Sequence, residues 1–249
     1  MQHWEIVFFF FVIASVYASV GFGGGSSYLA ILALYDLPFK EIRLVALLCN
    51  IMVVSSGVII FIIHKQLEWK KIIPLVIFSV PLAFLGARIR LSEQIFFITL
   101  GCTLIIAALL LWVKTNPRIK EGSDRQTSFF VNGLLGGSIG FLSGMVGIGG
   151  GIFLSPLLNL LKWDTAKKIA VASSVFILVN SVAGIFGQLF QFPVNISWTQ
   201  LLILIIAVFA GGQIGSRLLT NTFDPIIIRR ITAVLVFFAG VEVLVKHFQ

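Results

Sequence analysis

Hydrophobic positions in this chain come in runs of roughly 17 residues or more, and charged positions gather in short clusters between them. A helix of that length crosses the ~30 Å hydrocarbon core of a bilayer. Eight such segments can be drawn, at about 4–35, 42–63, 72–90, 94–113, 127–161, 166–190, 199–216 and 225–246. The polar stretch Lys114–Gln126 divides them four and four. The pattern therefore predicts an all-α polytopic membrane protein, with a first membrane repeat over 1–113, a connector over 114–126 and a second repeat over 127–249.

The two halves carry weak internal similarity. VGFGGGSSYLAILAL in the first is matched by VGIGGGIFLSPLLNL in the second, which places Gly21–Gly25 and Gly147–Gly151 in register 126 residues apart. Further on, PLAFLGARIRL is matched by AGGQIGSRLLT, aligning Arg88 with Arg217. Internal symmetry of this kind is the signature of a transporter built by duplication. The glycine runs fall inside the segments that open each half. Each glycine gives up about 1 kcal/mol of helix propensity relative to alanine. Backbone released from a helix at membrane depth must be buried in protein or line a wet cavity.

Those opening segments are also too long. A straight helix over 4–35 would measure about 48 Å, against a core of about 30 Å. A re-entrant hairpin and a tilted, broken helix both fit that length. Loop charge separates them. If all eight segments cross, the 18 Lys and Arg divide 8 to 10 between the two sides. If segments 1 and 5 are re-entrant, one side keeps Lys40, Arg43, Arg88, Arg90 and Lys246, and the other takes the remaining 13. Only the second division satisfies the positive-inside rule. It predicts inverted halves, with both termini outside the cytoplasm.

Composition supports the membrane assignment: 58% of residues are hydrophobic and 11% charged, and the mean hydropathy is +1.05. Trp4, Trp69, Trp112, Trp163 and Trp198 fall at the ends of apolar runs, where an interfacial belt would put them. The N-terminus lacks the basic region and small-residue cleavage site of a signal peptide, and is read as part of segment 1. The net charge of +8 is scattered among short loops, which fits topology signals rather than nucleic-acid binding. Cys49 and Cys102 lie inside apolar runs, which argues against a disulfide framework or zinc site. No cofactor is implied.

Candidate site residues follow from the breaks. A helix begins after each run, at about Ser26 and Ile152, and a helix N-terminus offers free N–H groups and about half a positive charge to an anion. The expected cradle comprises Gly23, Gly24, Gly25, Ser26 and Ser27 from the first half, and Gly149, Gly150, Gly151, Ile152 and Phe153 from the second. Close helix packing is the competing reading of the glycines. Asn50, Ser173, Ser174 and Asn180 are polar positions within apolar segments, expected to line the cradle or to hydrogen-bond helices together. Asn50 and Asn180 lie 25 and 29 residues past their glycine runs, so they are not strictly equivalent. Arg88 and Arg217 could attract an anion from the loops, although snorkelling to headgroups accounts equally for arginines at segment ends. Glu242 is the acid found within an apolar run, and an i,i+4 pair with Lys246 explains it.

At GFGGGSSYLAIL and GIGGGIFLSPLL the chain resembles the sulfite exporter TauE/SafE family. ASS at Ala172–Ser174, and GAR and GSR near Arg88 and Arg217, are similar to further family patterns, and the resemblance covers essentially the whole chain. Ala30 stands where the second copy has Pro156, a departure that makes the two half-helices inequivalent. The resemblance implies transport of sulfur-containing anions such as sulfite, sulfoacetate or related organosulfonates across a bacterial cytoplasmic membrane. The expected function is a secondary transporter working by alternating access. A passive anion channel and a carrier for a non-sulfur organic anion are its rivals. An intramembrane enzyme would need a nucleophile–base pair or metal ligands in the membrane, and His3, His64 and His247 lie at segment edges. The expected partners are a small anion and the lipid bilayer, with no nucleic acid; homo-oligomerisation stays open.

Overall fold

The computed structural model describes residues 4–18, 21–35, 38–113, 128–190, 198–218 and 225–247. Every regular element among them is a helix: α1 (Trp4–Ala18), α2 (Gly25–Leu34), α3 (Phe39–Ile63), α4 (Trp69–Ala87), α5 (Glu93–Trp112), α6 (Phe129–Val146), α7 (Gly151–Leu160), α8 (Ala166–Leu189), α9 (Trp198–Leu218) and α10 (Pro225–His247). Six of these, α3, α4, α5, α6, α8 and α9, are long and apolar enough to cross a membrane. The eight hydrophobic segments become ten helices because the two longest each divide at their glycine run. The structure thus gives a multi-pass helical membrane protein.

Close glycine contacts fix the helix directions. Along α6, Gly136, Gly140 and Gly144 rest on Leu75, Ser79 and Ala83 of α4, so residue numbers rise together and the helices run parallel. Small residues allow such backbone approach without a strong hydrophobic drive inside lipid. Asn180 donates to Ser79 Oγ at 3.0 Å and Gly187 rests on Phe84, which sets α8 parallel to α4 as well. Since α6 and α8 point the same way, the short α7 between them leads back toward the end from which α6 came.

The first half repeats this plan. Gly211 and Gly215 of α9 rest on Phe11 and Ser15 of α1, again in parallel. Gly21, just past α1, lies on Ala170 near the start of α8, while α2 ends where Lys246 of α10 donates to the Leu34 carbonyl at 3.1 Å. The segment α2 therefore also turns back, toward the opposite end from α7. Helix α3 opposes α8, with Gln188 donating to the Lys40 carbonyl and Gly184 near Leu47. Packing partners come in matched sets: α4 on α6 as α9 on α1, α4 on α8 as α9 on α3, and α2 on α3 as α7 on α8.

Exposed Trp4, Trp69, Trp112 and Trp198 ring the bundle at helix ends. Trp163 departs from the expected belt; it is turned inward and buried. Beside it, an ionic cluster ties the α7–α8 loop to the first turn of α4. Lys71 lies 2.8 Å from Asp164 and 3.3 Å from Glu68, and Lys168 lies 2.5 Å from Glu68. Burial pushes the Asp164 carboxyl up. Hydrogen bonds from Lys71 and the Thr165 backbone, and the charges of Lys71 and Lys168, outweigh that and hold it below its ordinary value.

Candidate functional site

The two breaks are built alike. Helix α1 ends with Phe22 N–H donating to the Tyr17 carbonyl at 2.9 Å, and α6 with Ile148 N–H donating to Ser143 at 3.2 Å. Gly21 and Gly147 take left-handed φ values of +75° and +87° at those ends. This is a Schellman termination, which glycine adopts without a Cβ penalty. Gly24 and Gly150, at φ +85° and +84°, then open α2 and α7. The spacing of the run is thus explained: one left-handed glycine stops a helix, and another three residues later starts the next.

Between the breaks stands Asn50, fully buried and twelfth of the 25 residues of α3, hence near its middle. Its Oδ1 accepts from Gly25 N–H at 2.8 Å, and its Nδ2 donates to the Ile148 carbonyl at 2.9 Å. One side-chain amide therefore satisfies a peptide group from each break. Tyr17, Phe22, Gly23, Gly24, Gly25, Ser26, Asn50, Ile148, Gly151, Ile152 and Ile177 line a small, partly open cavity here, with room for about one water molecule. The N-termini of α2 and α7 face it from opposite ends of the bundle. The first-turn N–H groups of any helix lack intrahelical acceptors, and each terminus carries about half a positive charge. Together they supply roughly one positive charge without a cationic side chain.

The structure brings together Gly23, Gly24, Gly25, Ser26, Asn50, Gly151 and Ile152. Ser27 sits just behind, its Oγ 2.5 Å from the Tyr17 hydroxyl. Gly149, against Ser181 and Asn50, and Gly150 belong to the second break, and Phe153 is buried in the first turn of α7. The Ser174 hydroxyl shares its proton between the Ala170 carbonyl of its own helix at 2.9 Å and the Gly21 carbonyl at 3.2 Å, which holds the first break against α8, and Ser173 is buried beside it. Asn180 lies away from the cavity, binding Ser79 Oγ and the Phe176 carbonyl. Arg88 is exposed at the end of α4, 5.7 Å from the Phe84 ring. The Arg217 side chain lies outside the described residues.

The sequence did not single out Tyr17, Phe22, Ile148 or Ile177. Ile177 is informative: it meets Gly151 much as Asn50 meets Gly25, so an aliphatic residue stands at the second break where the amide stands at the first. Arg43 was counted only as a loop charge. It is buried at 2% exposure, with Nη2 donating to the Gly144 carbonyl at 3.0 Å.

Discontinuous helices meeting inside a bundle are a feature of many transporters, and the comparisons with known proteins point the same way. The model of the family described as Sulfite exporter TauE/SafE matches residues 6–243. The chain belongs to the TauE/SafE family. Among similar proteins, the "Probable membrane transporter protein y4hK" of Sinorhizobium fredii is 31% identical, covering 94% of this chain and 95% of its own length. The "Probable membrane transporter protein YunE" of Bacillus subtilis is 26% identical over 73% of both chains. A "Probable membrane transporter protein" of Haemophilus influenzae is 26% identical over 89% of this chain and 88% of its own. No solved structure matches. Family and relatives indicate a TauE/SafE membrane transporter rather than an enzyme.

Proposed function

We propose that this TauE/SafE member is a secondary transporter that moves a small sulfur-containing oxyanion (sulfite, sulfoacetate or a related organosulfonate) across the bacterial cytoplasmic membrane by alternating access. The observation that carries the reading is the meeting of the α2 and α7 N-termini at Asn50. Two half-dipoles of about +0.5 each suit a single anionic group in mid-membrane. The family description supplies sulfite as the substrate class.

Inverted repeats give alternating access a structural basis. The matched packing sets and the two returning half-helices support a pseudo-two-fold axis in the membrane plane, with the site on that axis. With α2 and α7 re-entrant, the end at which α4, α6 and α8 begin is cytoplasmic by the positive-inside rule. Room for only about one water at the breaks suits a carrier that must reshape to pass its solute. The partners of this reading are the anion and the bilayer.

Uptake by proteoliposomes tests it, with sulfite, thiosulfate, sulfoacetate, taurine, phosphate and acetate offered with and without a pH gradient. Saturable uptake and counterflow of a labelled sulfur oxyanion are expected. Unsaturated, very fast conductance would replace the carrier with a channel, and preference for phosphate or acetate would remove the sulfur assignment.

A further inference from the structure

Three buried polar groups around the second break, Arg43 Nε and the hydroxyls of Ser143 and Ser181, have no partner among the described residues. Arg43 packs its Cβ and Cγ against Gly147, and its Nε is buried with no protein acceptor in reach. Ser143 lies beside Gly150, and the Ser181 hydroxyl lies against Gly149. Both hydroxyls are buried and unpartnered. Several helical serines elsewhere bond a carbonyl of the preceding turn, four residues back at Ser15, Ser55 and Ser138 and three back at Ser56 and Ser79. Ser143 and Ser181 leave that local bond unmade, although burial makes an unsatisfied hydroxyl costly.

The first break is different. There the hydroxyls of Tyr17 and Ser27 bind each other, Ser174 lies within reach of the Gly21 carbonyl, and the hydroxyls left over, of Tyr28 and Ser173, have no cation beside them. Among the described residues, only the second break has a buried guanidinium against it. A cation taken out of water needs a compensating charge, and the partners that the described residues give Arg43 are uncharged: the Gly144 carbonyl near the end of α6, and the Phe96 ring, whose centroid lies 5.7 Å from the guanidinium carbon. Capping that helix end accounts for one of its five N–H groups. It leaves Nε and the two serine hydroxyls unexplained.

We propose that the second break is the charge-selective half of the binding site, where Arg43, Ser143 and Ser181 donate to a compact oxyanion that replaces the Gly144 carbonyl as the partner of Arg43. The proposal rests on the anion-transport reading and assigns its recognition groups. A planar guanidinium offers a paired-donor edge to two oxygens of one oxyanion, and the hydroxyls complete a donor set that an uncharged solute would not fill. Arg43 also lies seven residues, two helical turns, before Asn50 on the same face of α3. An anion held there sits between the mid-membrane cavity and the end from which α3 starts.

The test is sulfite uptake by the full chain in proteoliposomes, comparing wild type with R43Q, R43K, S143A and S181A, alongside thermal melting with and without sulfite. Loss of a donor to a charged ligand is expected to raise the half-saturating sulfite concentration about tenfold or more in R43Q, and severalfold in each serine variant. R43K, which keeps charge without the planar fork, is expected between R43Q and wild type. Sulfite should raise the melting temperature of wild type and leave that of R43Q unmoved. If R43Q melts earlier but keeps the wild-type half-saturation, Arg43 is only a helix cap and the proposal fails. If R43Q does not fold, S143A and S181A decide, and wild-type half-saturation in both overturns it. A wild-type protein that transports and binds none of the sulfur oxyanions would instead overturn the transport reading beneath it.

Discussion

Replacing Asn50 by leucine removes both bonds that join the breaks while nearly conserving shape. Leucine also fills the space that a smaller residue would open to water. Two estimates of the cost compete. Side-chain hydrogen bonds between membrane helices average about 0.6 kcal/mol, because chains unfolded in lipid find other partners, and two such bonds would give roughly 1.2 kcal/mol. The acceptor and donor here, however, are the Ile148 carbonyl and the Gly25 N–H, peptide groups at breaks rather than inside helices. Stranding each in a buried site costs about 1–3 kcal/mol, or roughly 2–6 kcal/mol for the pair. The second estimate should prevail, since no neighbouring turn can take up groups that the chain has already released. Asn180 is the internal control: it too is buried, but its amide binds Ser79 Oγ and the Phe176 carbonyl of its own helix. At about 2–4 °C per kcal/mol for a chain of this size, N50L is expected to lower the melting temperature in detergent by at least about 4 °C, and by clearly more than N180L does. Transport should be lost in N50L. Equal melting of the two variants, or N50L within about 1 °C of wild type, would refute the view that Asn50 clamps the breaks.

Three further outcomes follow from the geometry. Gly24→Ala places a Cβ at φ +85° and 2.8 Å from the Tyr28 ring, so uptake should fall sharply with about 1–2 kcal/mol or more of lost stability, whereas Gly57→Ala, with its nearest neighbour 3.8 Å away, should transport normally; normal uptake in Gly24→Ala would sink the role of the break. In a background with Cys49 and Cys102 replaced by alanine, a membrane-impermeant thiol reagent added outside cells should label Arg90→Cys and spare Lys162→Cys, and the reverse pattern would overturn the inverted topology. Asp164 titrates below its ordinary value in the folded protein, so its contribution is present above the unfolded carboxylate pKa of about 3.9 and is lost as pH falls through the folded pKa. Melting of wild type should therefore drop more steeply than that of Asp164→Asn below about pH 4, and parallel curves would show that the cluster adds nothing.

The segments and their breaks were legible because the bilayer and the glycine backbone impose local rules. Apolar length marks a crossing wherever it occurs, and a left-handed residue at Gly21 or Gly147 writes itself into the chain as glycine. The partners of the breaks obey no such rule. Polarity alone made Asn50 and Asn180 look like a pair, yet side-chain direction depends on helix phase and on a neighbour about 100 residues away. That phase turns Asn180 toward Ser79 and puts Ile177 where a second asparagine was sought. Arg43 shows the same limit from the other side. Counted as a loop charge, it made the division of cations 5 to 13. Buried at 2% exposure, it is no loop charge, and removing it (5 − 1 = 4) leaves 4 to 13. The residue that weakened the topology signal is thus the one the structure places against the second break. Burial against a helix break, which depends on the fold and not on the local sequence, is what takes it out of that count.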